Sequence, residues 1–211
     1  GLPTFTDAAD ITLALDSAEQ VDLGNLDTLT AGLESLETAG IDQISVEALG
    51  TTGLTGDALL GEFDIFALES ALNTANVNDG PALGLQISDA QANTLANGEI
   101  AFAEDASQVL VDAGEGTHLA TSLKELQKLN IDAVSVMGES LTVDLGAGSI
   151  NSISLDANGL PTFTDAADIT LALDSANQVD LGNLDTLTAG LSDLETAGID
   201  QISVEALGTT G

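Results

Sequence analysis

Cysteine, tryptophan, tyrosine and arginine are all absent from this 211-residue chain, which carries two lysines, one histidine and five phenylalanines. Without cysteine there can be no disulfide and no thiolate metal site. With two cationic side chains against 35 acidic ones, the formal net charge is −33. No basic patch can displace counterions, so nucleic acid is excluded as a partner. An anionic membrane surface is disfavoured for the same reason. No apolar run approaches the roughly 18 residues that cross a bilayer, so no membrane insertion is expected. The lack of tryptophan and tyrosine removes the stacking platforms that carbohydrate clefts use, and close carboxylate pairs arise by chance in so acidic a chain. A G-x-S-x-G elbow, a Walker A loop and a G-x-G-x-x-G fingerprint are all missing. The sequence therefore gives no reason to expect an enzyme.

What the chain does have is repetition. Gly1 to Gly53 returns as Gly159 to Gly211 at a constant offset of 158 residues, and only Glu19/Asn177, Glu34/Ser192 and Ser35/Asp193 differ. The expected organisation is one full repeat, 1–158, followed by the first third of the next, 159–211, within a longer tandem array. Arrays of near-identical modules mostly provide length, valency or a scaffold. A weaker repeat lies inside the unit. Leu29–Val46 and Leu119–Val136 share Leu29/Leu119, Leu33/Leu123, Leu36/Leu126, Ile41/Ile131 and Asp42/Asp132 at an offset of 90.

Apolar residues make up 44% of the chain, enough for a packed core rather than a disordered acidic tail. The core is aliphatic, which suits thin stacked layers. Leu29, Leu33 and Leu36 share one helical face, with Asn25 as N-cap, Asp27 in the first turn and Gly40 as the stop. Thr117 is the expected N-cap of the matching helix, with Leu119, Leu123 and Leu126 as its stripe. Ser88 and Gln91 have capping-box spacing before a short helix that Gly98 ends. A further helix is expected from Glu62 to about Ala75. Alternation at Ile11/Leu13/Leu15, Ile44/Val46, Leu83/Leu85/Ile87 and Val134/Val136 predicts strands. Val143/Leu145 and Ile150/Ile153/Leu155 extend a β-rich stretch towards a tight turn at Asn158-Gly159. Strands alternating with helices point to an α/β fold with parallel pairing. The expected architecture is a tandem repeat of helix–strand units in an elongated, stacked or solenoid-like array.

Four features have candidate roles. Asp156-Ala-Asn158-Gly159 resembles the opening of a calcium loop, and Asp165 and Asp168 follow it. These four, Asp156, Asn158, Asp165 and Asp168, are the candidate metal ligands, with calcium as the cofactor. Asp7, Asp10, Asp16, Asp22, Asp174 and Asp180 lie on similar turns. The competing reading of all of them is N-caps, Asx-turns and solvated faces. His118 has no second histidine to complete a zinc site, and reads as a surface or capping residue at the start of the second helix. Asp42, Asp132 and Asp200 recur before equivalent strands, either as a ladder of ligands or as turn caps. Lys124 and Lys128 flank Glu125 as local helical pairs.

The stretch ISDAQANTLANGEIAFAEDASQVLVDAGEGTHLATSLKELQKLNIDAVSV resembles the repeat units of very large, acidic, cysteine-free surface or secreted proteins of Gram-negative bacteria, many of them RTX-type adhesins exported by type I secretion. The RTX nonapeptide G-G-x-G-x-D is absent, so no ligand of that family is carried over. The resemblance implies an extracellular or cell-surface location and calcium dependence. The expected function is that of a structural spacer or filament module supporting adhesion or cell–cell contact. Its partners would be neighbouring repeats, including head-to-tail self-assembly. The alternatives are a repeated binding module presenting one face per repeat to a protein or glycan, and a halophile's protein made acidic for solvation.

Overall fold

A computed structural model describes residues 2–5, 11–51, 64–75, 83–103, 108–155, 159–164 and 168–207. The chain divides into two units, Gly1–Leu110 and Val111–Gly211, and each has its own α/β core.

The first unit opens with the alternating run at Ile11–Leu15, which forms β1 (Thr12–Ala14). The leucine stripe then forms α1 (Leu26–Thr38), whose N-cap Asn25 accepts from the Thr28 N–H at 3.3 Å. The helix closes with paired reverse bonds, Gly40 N–H to Glu37 O (2.9 Å) and Ile41 N–H to Leu36 O (3.1 Å). This Schellman closure requires a left-handed residue, and Gly40 supplies it at φ 86°. The next strand, β2 (Gln43–Ser45), lies parallel to β1 with Leu13 opposite Ile44. Asp42 holds that register: its N–H donates to Ile11 O (2.9 Å) and its Oδ2 accepts from Ile11 N–H (2.7 Å).

Three further elements complete this unit. Helix α2 (Ile65–Ala75) buries Ile65, Leu68 and Leu72 completely and packs on α1. It falls within the helix expected from Glu62; residues 62 and 63 lie outside the described residues. Phe66 meets Phe102 with ring centroids 5.3 Å apart. Strand β3 (Gly84–Ser88) is parallel to β2, with Ile44 opposite Leu85. It leads into α3 (Asp89–Asn97) through the expected capping box of Ser88 and Gln91, and Gly98 is the C-cap. Buried Gln91 also donates to Val46 O (2.9 Å) and Gly50 O (2.8 Å), fastening α3 to the end of β2. Strand β4 (Val109–Asp112) carries the chain into the second unit.

In the second unit, α4 (Leu123–Lys128) precedes β5 (Ala133–Ser135), which pairs in parallel with β7 (Thr162–Thr164). A second parallel sheet has the order β6 (Ser140–Asp144), β8 (Asp168–Ala172), β9 (Gln201–Ser203). Helix α5 (Leu184–Ala197) connects β8 to β9. The β8–α5–β9 succession reproduces β1–α1–β2, including the Asn183 cap, the Gly198 closure at φ 94° and the bond from Ile169 N–H to Asp200 Oδ2 (2.8 Å).

Three local expectations are corrected. Thr117 is not an N-cap. Its carbonyl accepts from Thr142 N–H (2.9 Å), Leu119 N–H donates to Thr142 O (2.9 Å), and His118 bridges to Thr142. The helix starts five residues later, where Ser122 and Glu125 form a complete capping box. Ile150–Leu155 is not a strand but a 3-10 helix. The three-residue turn of a 3-10 helix places Ile150 and Ile153 above one another, and both are buried. The Lys124–Glu125 pairing does not form the simple surface arrangement. Lys124 is buried and donates to Gln127 Oε1 (3.0 Å), while Glu125 Oε2 accepts from Ser122 Oγ (2.8 Å).

Candidate functional site

Of the four candidate metal ligands, Asp156, Asn158 and Asp165 lie outside the described residues. Asp168 opens β8, where its N–H donates to Glu139 O at 3.0 Å. Asp7 and Asp10 are likewise outside. Asp22 and Asp180 form Asx-turns, accepting from Gly24 N–H (3.1 Å) and Gly182 N–H (2.8 Å). The N–H groups of Asp16 and Asp174 each donate, at 2.7 Å, to the glutamine four residues on. Among the described residues no group of three or more His, Asp or Glu side chains is placed to hold a metal ion. Asp42 and Asp200 are turn caps: each carboxylate holds a strand N–H, which is the structural of the two readings made for them.

Two other titratable groups stand out by position. His118 Nε2 lies 3.3 Å from Asp144 Oδ2, with both side chains substantially exposed. Such a pair contributes about 0–1 kcal/mol. Glu69 is buried on α2, and its Oε1 accepts from Ala103 N–H at 3.1 Å. Burial pushes its carboxyl pKa above the ordinary value, against the opposing effect of the hydrogen bonds from Ala103 and Asn73. Among the described residues, neither is placed with a nucleophile, base and oxyanion donors.

The feature with the clearest chemistry is a surface of the repeated segment that is covered in one copy and, among the described residues, open in the other. In the second copy the 3-10 helix Ile150–Leu155 lies on α5. A Cβ placed on Gly190 would overlap the Ile150 carbonyl oxygen, so only glycine permits this approach. Buried Asn151 clamps the turn ahead of the helix. Its Oδ1 accepts from Asp180 N–H (2.8 Å), and its Nδ2 donates to Asp180 O (3.0 Å), Asn183 O (3.0 Å) and Thr186 Oγ1 (3.1 Å). Gln178, also buried, donates from Nε2 to Gly146 O (2.8 Å).

In the first copy the corresponding surface is a cleft of about 360 Å³, lined by Leu13, Val21, Leu29, Gly32, Leu33 and Leu36 among others. Gly32, the counterpart of Gly190, is exposed and has nothing within 4 Å of an added Cβ. Gln20, the counterpart of buried Gln178, is exposed, and Leu13 is only half-buried where Leu171 is fully buried.

Other positions of the two copies reverse the pattern. Leu33, Ile44 and Val46 are buried in the first copy beneath α2 and β3, whereas their counterparts Leu191, Ile202 and Val204 are exposed. Sequence reasoning missed this surface. Its one legible signal was a glycine in the middle of each leucine-striped helix, where glycine destabilises by about 1 kcal/mol relative to alanine. Comparison with protein-family models, characterised proteins and solved structures finds no match.

Proposed function

We propose that this chain is a structural module of a large extracellular bacterial repeat protein, a stiff spacer or filament segment that supports adhesion or cell–cell contact. The observation that carries the reading is the return of Gly1–Gly53 as Gly159–Gly211 with three differences. Each copy folds locally as the same strand–helix–strand unit. A chain that spends its sequence on repeating one fold, without an assembled catalytic constellation among the described residues, is organised for length and regular presentation. Its aliphatic layers would stack into an elongated, solenoid-like array, and its acidic surface would keep that array soluble. Small-angle scattering of proteins carrying one, two and three repeats tests this. The maximum dimension should grow by a constant increment per repeat, and a compact particle whose dimension fails to grow would end the spacer reading.

The side chains of Asp156, Asn158, Asp165 and Asp168 are proposed to bind calcium, which would offset the charge of −33. Only a ligand that prefers the folded form stabilises it. Calcium at millimolar concentration should therefore raise the melting midpoint above that in matched magnesium at constant ionic strength. Equal midpoints would leave the carboxylates as solvated surface and remove calcium from the proposal.

A further inference from the structure

The cleft on α1 has a specific occupant written elsewhere in the same chain. We propose that it is the docking site for the segment Ser140–Leu155 of another copy of the repeat. The second copy shows the complex that the same residues make. There, β6 pairs in parallel with β8, Leu141 opposite Ile169 and Val143 opposite Leu171. The 3-10 helix that follows seats Ile150 on Gly190, and Asn151 clamps the turn ahead of α5.

Every receptor group for that segment is present in the first copy. Gln20, Asp22, Asn25, Thr28, Gly32 and Leu36 stand where Gln178, Asp180, Asn183, Thr186, Gly190 and Leu194 stand in the second. None of the three substitutions between the copies falls on a group that receives the segment. The local folds also correspond, down to the same helix cap and the same Asx-turn.

The first copy differs from the second where the segment would lie. Strand β1 spans Thr12–Ala14, whereas its counterpart beside β6 spans Asp168–Ala172. Leu13 is partly open where Leu171 is buried, and Gly32 faces open space where Gly190 meets a backbone carbonyl. Docking would restore a parallel strand beside β1 by backbone pairing. The segment's Asn151 would bond to Asp22, Asn25 and Thr28, and Gln20 would reach the carbonyl of its Gly146. The chemistry is that of an intramolecular contact already present, supplied by a neighbour. The proposal rests on the repeat reading only for the source of the segment.

The test places the sequence of residues 140–158 directly ahead of Gly1 in the full chain, which sets the register found in the second copy. Thermal unfolding and amide exchange at Thr12–Ala14 and Asp22 are then compared with the parent and with a scrambled extension of the same composition. The native extension should raise the melting midpoint of the first unit by about 5 °C and slow those amides at least tenfold. Gly32→Ala should be tolerated in the parent, where an added Cβ meets nothing, but should abolish the gain in the extended chain. Replacing by alanine the extension's copy of Asn151 should remove most of it.

No gain over the scrambled extension would overturn the proposal, as would a gain that survives both substitutions. Failure here is separable from failure of the spacer reading. Docking is read locally in one extended chain, whereas the spacer reading depends on how dimension scales with repeat number.

Discussion

Glu69 is the residue at which acidity and burial conflict most directly. Its carboxyl is 4% exposed and its folded pKa lies above the unfolded value of 4.5. The native state therefore holds this proton more tightly than the unfolded chain does. The resulting stability is fully present below the unfolded pKa and is lost as pH rises through the folded one. Glu69→Gln keeps an oxygen to accept from Ala103 N–H and carries no charge to desolvate. Its stability relative to the parent should rise as the pH is raised above the ordinary carboxyl value of 4.5, read from urea midpoints. A difference that stays flat or falls over that interval would show that ionised Glu69 is not penalised by its surroundings. The sequence could not single it out from 34 other acidic residues, because burial of one helical position depends on what packs over it.

At the scale of elements, local side-chain chemistry sets the helix starts. Capping boxes at Ser17, Ser88, Ser122 and Ser175 open short helices, and each pairs a serine with a glutamine or glutamate three residues on. Ser122→Ala should cost about 1 kcal/mol, the usual value of such a cap. Gln91→Ala should cost more than Ser88→Ala, because it also strands the Val46 and Gly50 carbonyls that Gln91 satisfies. Equilibrium unfolding in urea ranks the three, and equal costs at positions 88 and 91 would mean that the tie to β2 contributes nothing.

The α1 boundaries were legible because cap, stripe and stop agreed, and those of α3 because its capping box and its glycine stop did. The start of α4 was not, since Thr117 is as good a cap by type as Ser122 and loses only because β6 takes its backbone. The stretch at Ile150–Leu155 was ambiguous for a similar reason. Its isoleucines are three apart and its last leucine two further on, a spacing that a strand fragment and a 3-10 turn can both accept.

For the whole molecule, identical sequence does not mean identical environment. Ile44 is 2% exposed and its counterpart Ile202 is 38% exposed; for Val46 and Val204 the values are 1% and 54%. The same substitution should therefore have two outcomes. Ile44→Ala should destabilise by about 2–5 kcal/mol through the cavity it leaves, and Ile202→Ala by less than about 1 kcal/mol. Denaturant titration of the two variants decides it, and similar losses would contradict the asymmetry between the copies. Ile202 lies within β9 and Val204 directly follows it; the described pairing of that strand is to β8.

The sequence by itself determined the alternation of strands and helices, the mixed α/β class, the caps of α1 and α3, and the near-identity of the two copies. These are local properties, read from periodicity, turn chemistry and direct repetition. Tertiary structure alone decided which face of the repeated segment is covered. In the first copy α2 and β3 bury Leu33, Ile44 and Val46, and in the second Ile150–Leu155 and β6 bury Gly190, Gln178 and Leu171. The reason is that burial belongs to a pair of surfaces, and the second surface comes from a part of the chain that the repeated residues do not encode.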